Sequence, residues 1–324
     1  MMGCRGVLVL AVALLASACA NDSGLDDVDR SSPPSSITTL VSAPEAVAFT
    51  PVDERGRPPQ VTLSNGDAVA LFEEFRHGNF TNPTAIDNPW LPMVPGTRMV
   101  FEGVTFEDGE TIPHKLVFTV TDLVKVIDGI PSVVLWDVDY SDGDLVETEL
   151  AFFAQDDDGN VWRMGEYPEE WEEGELIDAP AWIAGVEDAR AGIAMPANPR
   201  LGVVSYSQGW GPAVGFTDRA FVWEEGIETC VVTGCYSDVL VTNEFNDDEP
   251  QFNQLKYYAR GIGNVRVGWR GDDSAYEELE LVEIIRLTPE ELTVARDAAL
   301  TLEQRSYILR ERIFAPTPPA QRPG

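Results

Sequence analysis

The amino-acid sequence predicts a mainly β protein, in which a large antiparallel meander forms an open barrel or a sandwich. A short N-terminal helix and C-terminal helices flank the meander. Runs such as LVFTVTDLVKVI and PSVVLWDVDY are rich in β-branched and aromatic residues, as strands are. Turn signals separate the runs at Asp128-Gly129, Asp142-Gly143, Asp158-Gly159 and Glu173-Gly174. Because helical patterns occur only towards the two ends of this region, we assign residues 61–287 to one antiparallel β domain.

The N-terminal residues 1–18 have the pattern of an export signal. Arg5 precedes an apolar run that is too short to span a membrane, and small residues lead from this run to Cys19. The segment LASAC resembles a lipobox, which predicts a diacylglycerol on the thiol of Cys19. Plain secretion, with an ordinary signal-peptidase cut after Ala18, is the alternative. Residues 19–60 are polar and rich in Ser, Pro and Asp, and they predict a flexible tether.

Two elements precede the first long strand. Apolar residues between Asp67 and Gly78 fall on one broad face, which predicts the short N-terminal helix. The following segment, NFTNPTAIDNPWLPMVPGT, is rich in proline and predicts an extended cover with Trp90 and Leu91 as buried plugs. The first strand should begin at Thr97.

The turn signals also predict the register of two hairpins, if Asp142-Gly143 and Asp158-Gly159 each form a two-residue turn. The first hairpin would then mix acidic and apolar residues on both faces, whereas the second would have one apolar face. The predicted pairs are Tyr140 with Leu145, Asp139 with Val146, Asp137 with Thr148, Phe153 with Met164 and Gln155 with Trp162.

The C-terminal region changes to a helical pattern. Thr288 to Glu291 form a capping box with proline at the first helical position, and Thr301 to Gln304 offer a second box. We expect two short helices or one kinked helix over residues 288–313, packed on the sheet rather than exposed for docking. Residues 314–324 are rich in proline and are expected to form a disordered tail.

Two cysteines remain in the predicted mature domain, Cys230 and Cys235. In an exported chain a closely spaced pair predicts a disulfide. A redox-active or metal-binding pair would more often have two intervening residues, whereas four intervene here.

The chain is strongly acidic, with 55 acidic and 22 basic residues and a formal net charge of -33. Such a charge disfavours nucleic acid and favours divalent cations. Acidic groups at residues 137–144 and 156–160 suggest calcium, but neither places glycine where an EF-hand loop requires it. Hairpin turns account for the same residues, so we predict no metal site.

Signatures of enzymes are mostly absent, including the nucleophile elbow, the zinc-protease helix, the phosphate loop and the dinucleotide fingerprint. His77 and His114 are isolated and are interpreted as structural or surface residues. Paired carboxylates such as Glu147 and Glu149 could perform glycosidase chemistry, but chance pairs are certain among 55 acids. We therefore assign no catalytic residues and no cofactor.

Four blocks carry a resemblance to a known family: IDNPWLPMVPGT, FFAQDDDGNVWRMGE, MPANPRLG and KYYARGIGNVR. Over about Phe80 to Val267 the chain resembles a family of uncharacterised exported bacterial lipoproteins or hypothetical proteins. It departs from that family where Arg260 replaces a proline, and at the pair Cys230 and Cys235. The resemblance implies an antiparallel β domain and an exported location, and it implies no catalytic residues.

These expectations describe a lipid-anchored, extracytoplasmic binding or envelope-associated protein. It would be a monomer without enzymatic activity, and the N-terminal lipid would be its contact with the membrane. Two alternatives remain open. One is a carrier of an apolar ligand in a partly open β-barrel, which would need a deep cavity lined by Phe, Trp and Val. The other is a calcium-assisted or carboxylate-based hydrolase, which would need a cleft with clustered acids or histidine.

Overall fold

Seventeen strands and two helices follow one another along the described part of the chain. The computed structural model describes residues 61–62, 68–69, 72–107, 109–246, 253–271 and 275–323, so the export signal, Cys19 and the tether predicted above lie outside it. The strands are β1 (Val61–Thr62), β2 (Ala68–Val69), β3 (Thr97–Glu107), β4 (Glu110–Ile127), β5 (Ile130–Ser141), β6 (Asp144–Gln155), β7 (Val161–Glu172), β8 (Glu175–Asp178), β9 (Trp182–Ile183), β10 (Arg190–Met195), β11 (Tyr206–Ser207), β12 (Gly209–Trp210), β13 (Arg219–Val231), β14 (Gly234–Phe245), β15 (Gln254–Ala259), β16 (Gly263–Trp269) and β17 (Tyr276–Arg286). The helices are α1 (Pro289–Leu309) and α2 (Glu311–Phe314).

Strands β3 to β17 form one antiparallel sheet of fifteen strands. The sheet order is β11-β13-β14-β15-β16-β17-β3-β4-β5-β6-β7-β10-β12, and β8 and β9 both pair with β7. Strands β3 to β7 are neighbours in both sequence and space, as in a meander. The sheet curls into a nearly closed, barrel-like form. The predicted antiparallel, mainly β fold is confirmed, and between the two predicted forms the sheet takes that of the barrel.

Three of the four predicted turns have the backbone that a two-residue hairpin needs. Both residues have a positive φ at Asp128-Gly129 (48° and 80°), Asp142-Gly143 (50° and 91°) and Glu173-Gly174 (51° and 81°). Such turns match the right-handed twist of the strands that they join. At Asp158-Gly159 the turn differs, because only the glycine has a positive φ.

The first hairpin contains a bulge that the sequence did not reveal. Tyr140 lies opposite Leu145 as predicted, but Val146 is an extra residue and Asp139 lies opposite Glu147. A shift by one residue moves every later side chain to the other face of its strand. Carboxylates on β5 and β6 therefore face the same side of the sheet, which corrects the predicted mixture of faces. The pairs beyond the bulge are Val138 with Thr148 and Asp137 with Glu149.

The second hairpin has a longer connection than predicted. Residues 156–160 join β6 to β7, so Phe153 pairs with Arg163 rather than with Met164. Gln155 pairs with Val161 rather than with Trp162. The shift places Arg163 directly opposite Phe153, whose side chain lies in the interior of the barrel.

The sheet is apolar on both faces over β4 to β7. An outer cluster lies between the sheet and the helices, and an inner cluster lies inside the barrel beneath the proline-rich cover. Trp90 is buried in the inner cluster, as predicted, whereas Leu91 is half-buried and packs against that cluster. The outer cluster includes Leu123, Val134, Leu150, Phe152, Met164 and Phe314, and the inner cluster includes Leu135, Phe153, Val161, Met195, Val222 and Leu240.

The N-terminal helix is a wrong prediction for the residues that the structure describes. The short strand β2 pairs with β1, and among the residues described before the sheet the one helical turn is a 3-10 turn at His77–Asn79. Phe72 packs edge-on against Trp210, whereas Phe75 packs against Trp162. The apolar residues of this segment therefore contact different parts of the sheet from an irregular chain, and helical spacing does not describe them.

The C-terminal region forms one long helix followed by a single turn. Thr288 and Glu291 make both hydrogen bonds of the predicted capping box, and α1 runs for 21 residues without a break. The second predicted box is not used, because Thr301 lies inside the helix and its hydroxyl donates to the carbonyl of Asp297. Neither described helix is long and apolar enough to cross a membrane.

The segment predicted as a disordered tail is ordered as far as residue 323. Gln321 and Val124 exchange both backbone hydrogen bonds, at 2.8 and 2.9 Å. Lys125 is fully buried and donates to the carbonyl of Pro318 at 3.0 Å and to the carboxylate of Glu303 at 2.7 Å. The proline-rich composition predicted disorder, but backbone pairing and a buried ion pair hold the segment against β4.

Candidate functional site

A cavity of about 120 Å³ lies inside the barrel beneath the proline-rich cover. Its wall is mostly apolar, and one part of its lining is polar and charged. The apolar wall includes Leu91, Met93, Phe101, Phe118, Leu135 and Phe153, and the polar part consists mainly of Arg163, Gln208, Glu244 and Lys256. An apolar wall with a few convergent polar groups is the usual lining of a small-molecule site.

The polar residues of the cavity are held by one another. Lys256 donates to one carboxylate oxygen of Glu244 at 2.7 Å, and the amide nitrogen of Gln208 donates to the other at 2.9 Å. Arg163 donates to Glu166 at 3.3 Å through Nη1. The Oε1 atom of Gln208 and the Nε atom of Arg163 have no hydrogen-bond partner among the described residues, although each side chain is only about 2% exposed.

A large group of buried carboxyls continues from the polar end of the cavity through the barrel interior, and we name it the interior acid cluster. Its members come from β5, β6, β7, β14 and β17 and from the residue before β13, and each is less than a tenth exposed. Both carboxylate oxygens of Asp137 lack a hydrogen-bond partner among the described residues. The interior acid cluster comprises Asp137, Asp139, Glu147, Glu149, Glu166, Asp218, Glu244 and Glu277.

Burial changes the acidity of this cluster. Burial, together with the charge of Asp137, raises the pKa of Glu149 from 4.5 to about 8. Burial also raises the pKa of Asp218 and the pKa of Glu277 to about 8. A charged carboxylate loses its hydration on burial, and here that cost outweighs the nearby bases, so these groups retain their protons at neutral pH. The same cause raises the pKa well above the ordinary value at Asp137, Glu147 and Glu166.

His114 joins the cluster from β4. Its Nε2 atom lies 2.6 Å from a carboxylate oxygen of Asp139, and its Nδ1 atom lies 2.6 Å from the hydroxyl of Thr105. Burial lowers the pKa of His114, but the hydrogen bond and charge of Asp139 and the charge of Glu277 outweigh it, so the pKa is raised. His114 was interpreted from sequence as structural or surface, and the structure places it fully inside.

Glu147 and Glu149, which the sequence offered only as chance pairs, belong to this cluster. Glu147 lies opposite Asp139 and Glu149 lies opposite Asp137 across the β5–β6 pair. None of these four side chains lines the cavity, so a substrate in the cavity would not touch them. Within the described residues, no group of three or more His, Cys, Asp or Glu side chains is arranged to hold a metal ion.

The acids of residues 156–160 have partners in the turn and in the cover. The carboxylate of Asp156 accepts from the backbone of Asn160 at 2.8 Å and from the indole of Trp162 at 2.9 Å. Asp157 accepts from the backbone and the hydroxyl of Thr81, at 2.9 and 2.8 Å. These contacts fasten the chain before β3 to the β6–β7 hairpin.

The remaining residues singled out from sequence lie away from the cavity. Cys230 and Cys235 form a disulfide between directly opposed residues at the tip of the β13–β14 hairpin. His77 is exposed and lies 2.7 Å from Asp128. Cys19 is outside the described residues.

Sequence reasoning did not identify Arg163, Gln208 and Lys256. A signal was present for two of them, because Arg163 and Lys256 interrupt the strand segments VWRMG and QLKYYA with a single charge. A lone basic residue at an inward position of a strand needs a buried partner, and here each has a carboxylate. Gln208 lies between two short strands in a region without a periodic pattern, and nothing in the sequence distinguished it.

Comparisons with known proteins give only distant likenesses. No protein-family model and no curated protein matches the chain. One similar solved structure is that of a "putative exported protein with YmcC-like fold" from Bacteroides fragilis, with 14% identity, a TM-score of 0.36, and coverage of 60% of this chain and 98% of that one. Another is that of a "putative lipoprotein" from Parabacteroides distasonis, with 11% identity, a TM-score of 0.29, and coverage of 61% and 99%. Likeness at this level carries no argument about this chain.

Proposed function

We propose that the protein is a non-enzymatic binding protein of the cell envelope, anchored outside the membrane through a lipid on Cys19, that holds a small amphipathic ligand inside its barrel. The observation that carries this proposal is the mostly apolar cavity with Gln208, Glu244 and Lys256 at its polar end. The lipobox-like segment at Leu15–Cys19 supports the location. The proposal combines the predicted binding role with the alternative of a carrier, because the cavity is apolar over most of its wall.

Binding is favoured over hydrolysis by the position of the carboxylates. A carboxylate-based hydrolase needs two acids that reach the same substrate. Glu244 lines the cavity, but it is already bound to Lys256 and Gln208, and the other acids considered from sequence, Glu147 and Glu149, lie elsewhere in the interior.

The test is native mass spectrometry of the full-length protein purified from its host. We expect a non-covalent adduct of one small molecule that is lost on denaturation. Ala194 lines the cavity, so Ala194→Leu should fill part of it and remove the adduct. Ala191 lies on the same strand but packs against the outer cluster, so Ala191→Leu is a matched control that should retain the adduct. An adduct that survives Ala194→Leu in a folded protein, or its absence from the unmodified protein, would refute binding in the cavity.

A further inference from the structure

The barrel wall is split between β16 and β17. In the described part of the chain these two strands pair through Arg266 and Val267 of β16 alone. On its other side β17 pairs with β3 from one end to the other. Residues 263–265 of β16 and 281–286 of β17 therefore have no ladder between them, and we name this gap the seam. A strand edge without a neighbouring strand leaves backbone groups that other parts of the chain must satisfy.

The tip of the β13–β14 hairpin, residues 230–236, lies at the seam. β14 pairs with β15 over its second half, so the hairpin projects past β15 and its tip reaches β17. The backbone N–H of Thr233 donates to the carbonyl of Leu281 at 3.4 Å. Val231 and Tyr236 pack against the apolar cluster that contains Leu281. The tip therefore covers the edge of β17 that β16 leaves unpaired.

The cavity of the proposed site lies behind the seam. Gly263 and Asn264, the first residues of β16, line it. Thr97 and Met99 of β3 line it as well, and they pair with the part of β17 that borders the seam. On the outer side of the tip, Val232 is 69% exposed to solvent. Since the lining flanks the seam on both sides, displacement of the tip would connect the cavity with solvent.

The tip is braced internally but is held to β17 by few contacts. Its hydrogen bond of 3.4 Å to Leu281 is long, because such bonds usually measure no more than about 3.2 Å. Within the tip, Cys230 is bonded to Cys235, and the hydroxyls of Thr233 and Tyr236 lie 2.9 Å apart. An element of this kind can move as a unit, and such local opening costs less free energy than unfolding of the core.

From this arrangement we infer that the hairpin tip is a gate, which moves away from β17 and opens the seam as the route by which a ligand enters and leaves the cavity. The inference rests on the proposed function and specifies how access to the same cavity is controlled. A gate sets the rates of entry and exit together, because both rates scale with the population of the open state.

The test measures access to the cavity without a ligand. Ala194→Cys introduces a thiol at the cavity wall, and methyl methanethiosulfonate converts this thiol to its methyl disulfide with release of methanesulfinate. Peptide mass spectrometry of the full-length protein gives the labelling rate, without reductant so that Cys230 and Cys235 stay bonded. Added to this background, Val231→Ser weakens the packing of the tip and should raise the labelling rate about tenfold. Val232→Ser makes the same change at the adjacent, exposed position and should leave the rate unchanged.

Two further variants identify the route. Leu91→Ser weakens the cover rather than the tip, and it should leave the labelling rate at position 194 unchanged. Ala299→Cys places a thiol in the outer cluster, where Ala299 is fully buried. The labelling rate of that thiol should not respond to Val231→Ser, whereas it would rise if the substitution loosened the whole protein.

The inference is overturned by any of three results. The first is an unchanged labelling rate at position 194 in a folded Val231→Ser protein, the second is an equal acceleration by Leu91→Ser, and the third is an equal response of the two introduced thiols to Val231→Ser. If Val231→Ser does not fold, Tyr236→Phe takes its place, because it removes the hydroxyl that lies against Thr233; it should raise the rate at least threefold, and an unchanged rate would overturn the gate. Each of these failures leaves a binding cavity intact. Absence of a native adduct would refute the proposed function and would not alter the labelling rates.

Discussion

Glu149→Gln should stabilise the protein, although it replaces a fully buried acidic group. Glu149 is 1% exposed, and burial with the charge of Asp137 raises its pKa from 4.5 to about 8. At pH 7 the folded protein therefore keeps a proton that the unfolded chain releases. Stability from such a group is fully present below the ordinary pKa of 4.5 and is lost as the pH rises towards 8. Glutamine does not titrate, so the variant avoids this loss.

The size of the effect follows from the pKa difference. One pKa unit corresponds to about 1.4 kcal/mol, and pH 7 lies about 2.5 units above the ordinary value. We expect Glu149→Gln to unfold with a free energy about 3 kcal/mol higher than the unmodified protein at pH 7, and with little difference near pH 4.5. The assay is urea denaturation followed by tryptophan fluorescence, at intervals of half a pH unit from pH 4.5 to 8.5.

The control is Glu175→Gln, at an exposed position of β8. It should change the free energy of unfolding by less than about 0.5 kcal/mol at any pH, as most exposed substitutions do. The reasoning is refuted if Glu149→Gln is less stable than the unmodified protein at pH 7, or if its effect does not vary with pH.

Four further predictions concern the anchor, the disulfide, the acidic turns and the C-terminal segment. Cys19→Ala should move the protein from the membrane to the soluble fraction on cell fractionation; a variant that stays membrane-bound would contradict the lipid anchor. Without reductant, peptide mass spectrometry should find Cys230 and Cys235 linked, and reduction should lower the free energy of unfolding by about 2 kcal/mol or less, because the closed loop is short; two free thiols would contradict this. Millimolar calcium should raise Tm no more than sodium chloride of equal ionic strength, and a calcium-specific rise of several degrees would argue for a metal site. Lys125→Met should lower the free energy of unfolding by about 3 kcal/mol or more, because Glu303 would keep a buried charge, whereas Lys115→Met on the exposed side of the same strand should change it little.

The parts of the fold that were predictable from sequence depend on local chemistry. The turns at Asp128-Gly129 and Asp142-Gly143 follow from the tolerance of Asp and Gly for positive φ, and the start of α1 follows from the capping box at Thr288. The apolar character of the cover segment predicted the burial of Trp90. Each of these features is decided by residues a few positions apart.

The wrong predictions concern segments whose structure depends on distant contacts. The chain before the sheet has helical spacing, but Phe75 packs on Trp162 far along the sequence. The last residues have a composition typical of disorder, but Gln321 pairs with the backbone of β4. Neither partner can be identified from the local pattern, because tertiary contacts override local propensity.

The candidate site was not predictable for a further reason, which is the single extra residue at Val146. Without it, Asp139 would face Val146, and the carboxylates of β5 would lie on the opposite face of the sheet from those of β6. With it, Asp139 faces Glu147 and Asp137 faces Glu149, so the carboxylates of both strands share the interior face. A bulge leaves no mark in hydrophobic periodicity, so the interior acid cluster could not be separated from the other acids of the chain.

The bulge also separates the carboxyls of β5 and β6 from the apolar side chains of the outer face. Between β4 and β7 the interior face carries the carboxyls, whereas the opposite face carries Val134, Leu150 and Phe152 against α1 and α2. These strands therefore bury apolar side chains on the outer face as well, where the helices cover them. This arrangement leaves the interior free for polar groups that a barrel closed only by its own core could not accommodate. It follows that α1 should be essential to the fold, because it covers the apolar outer face of the sheet.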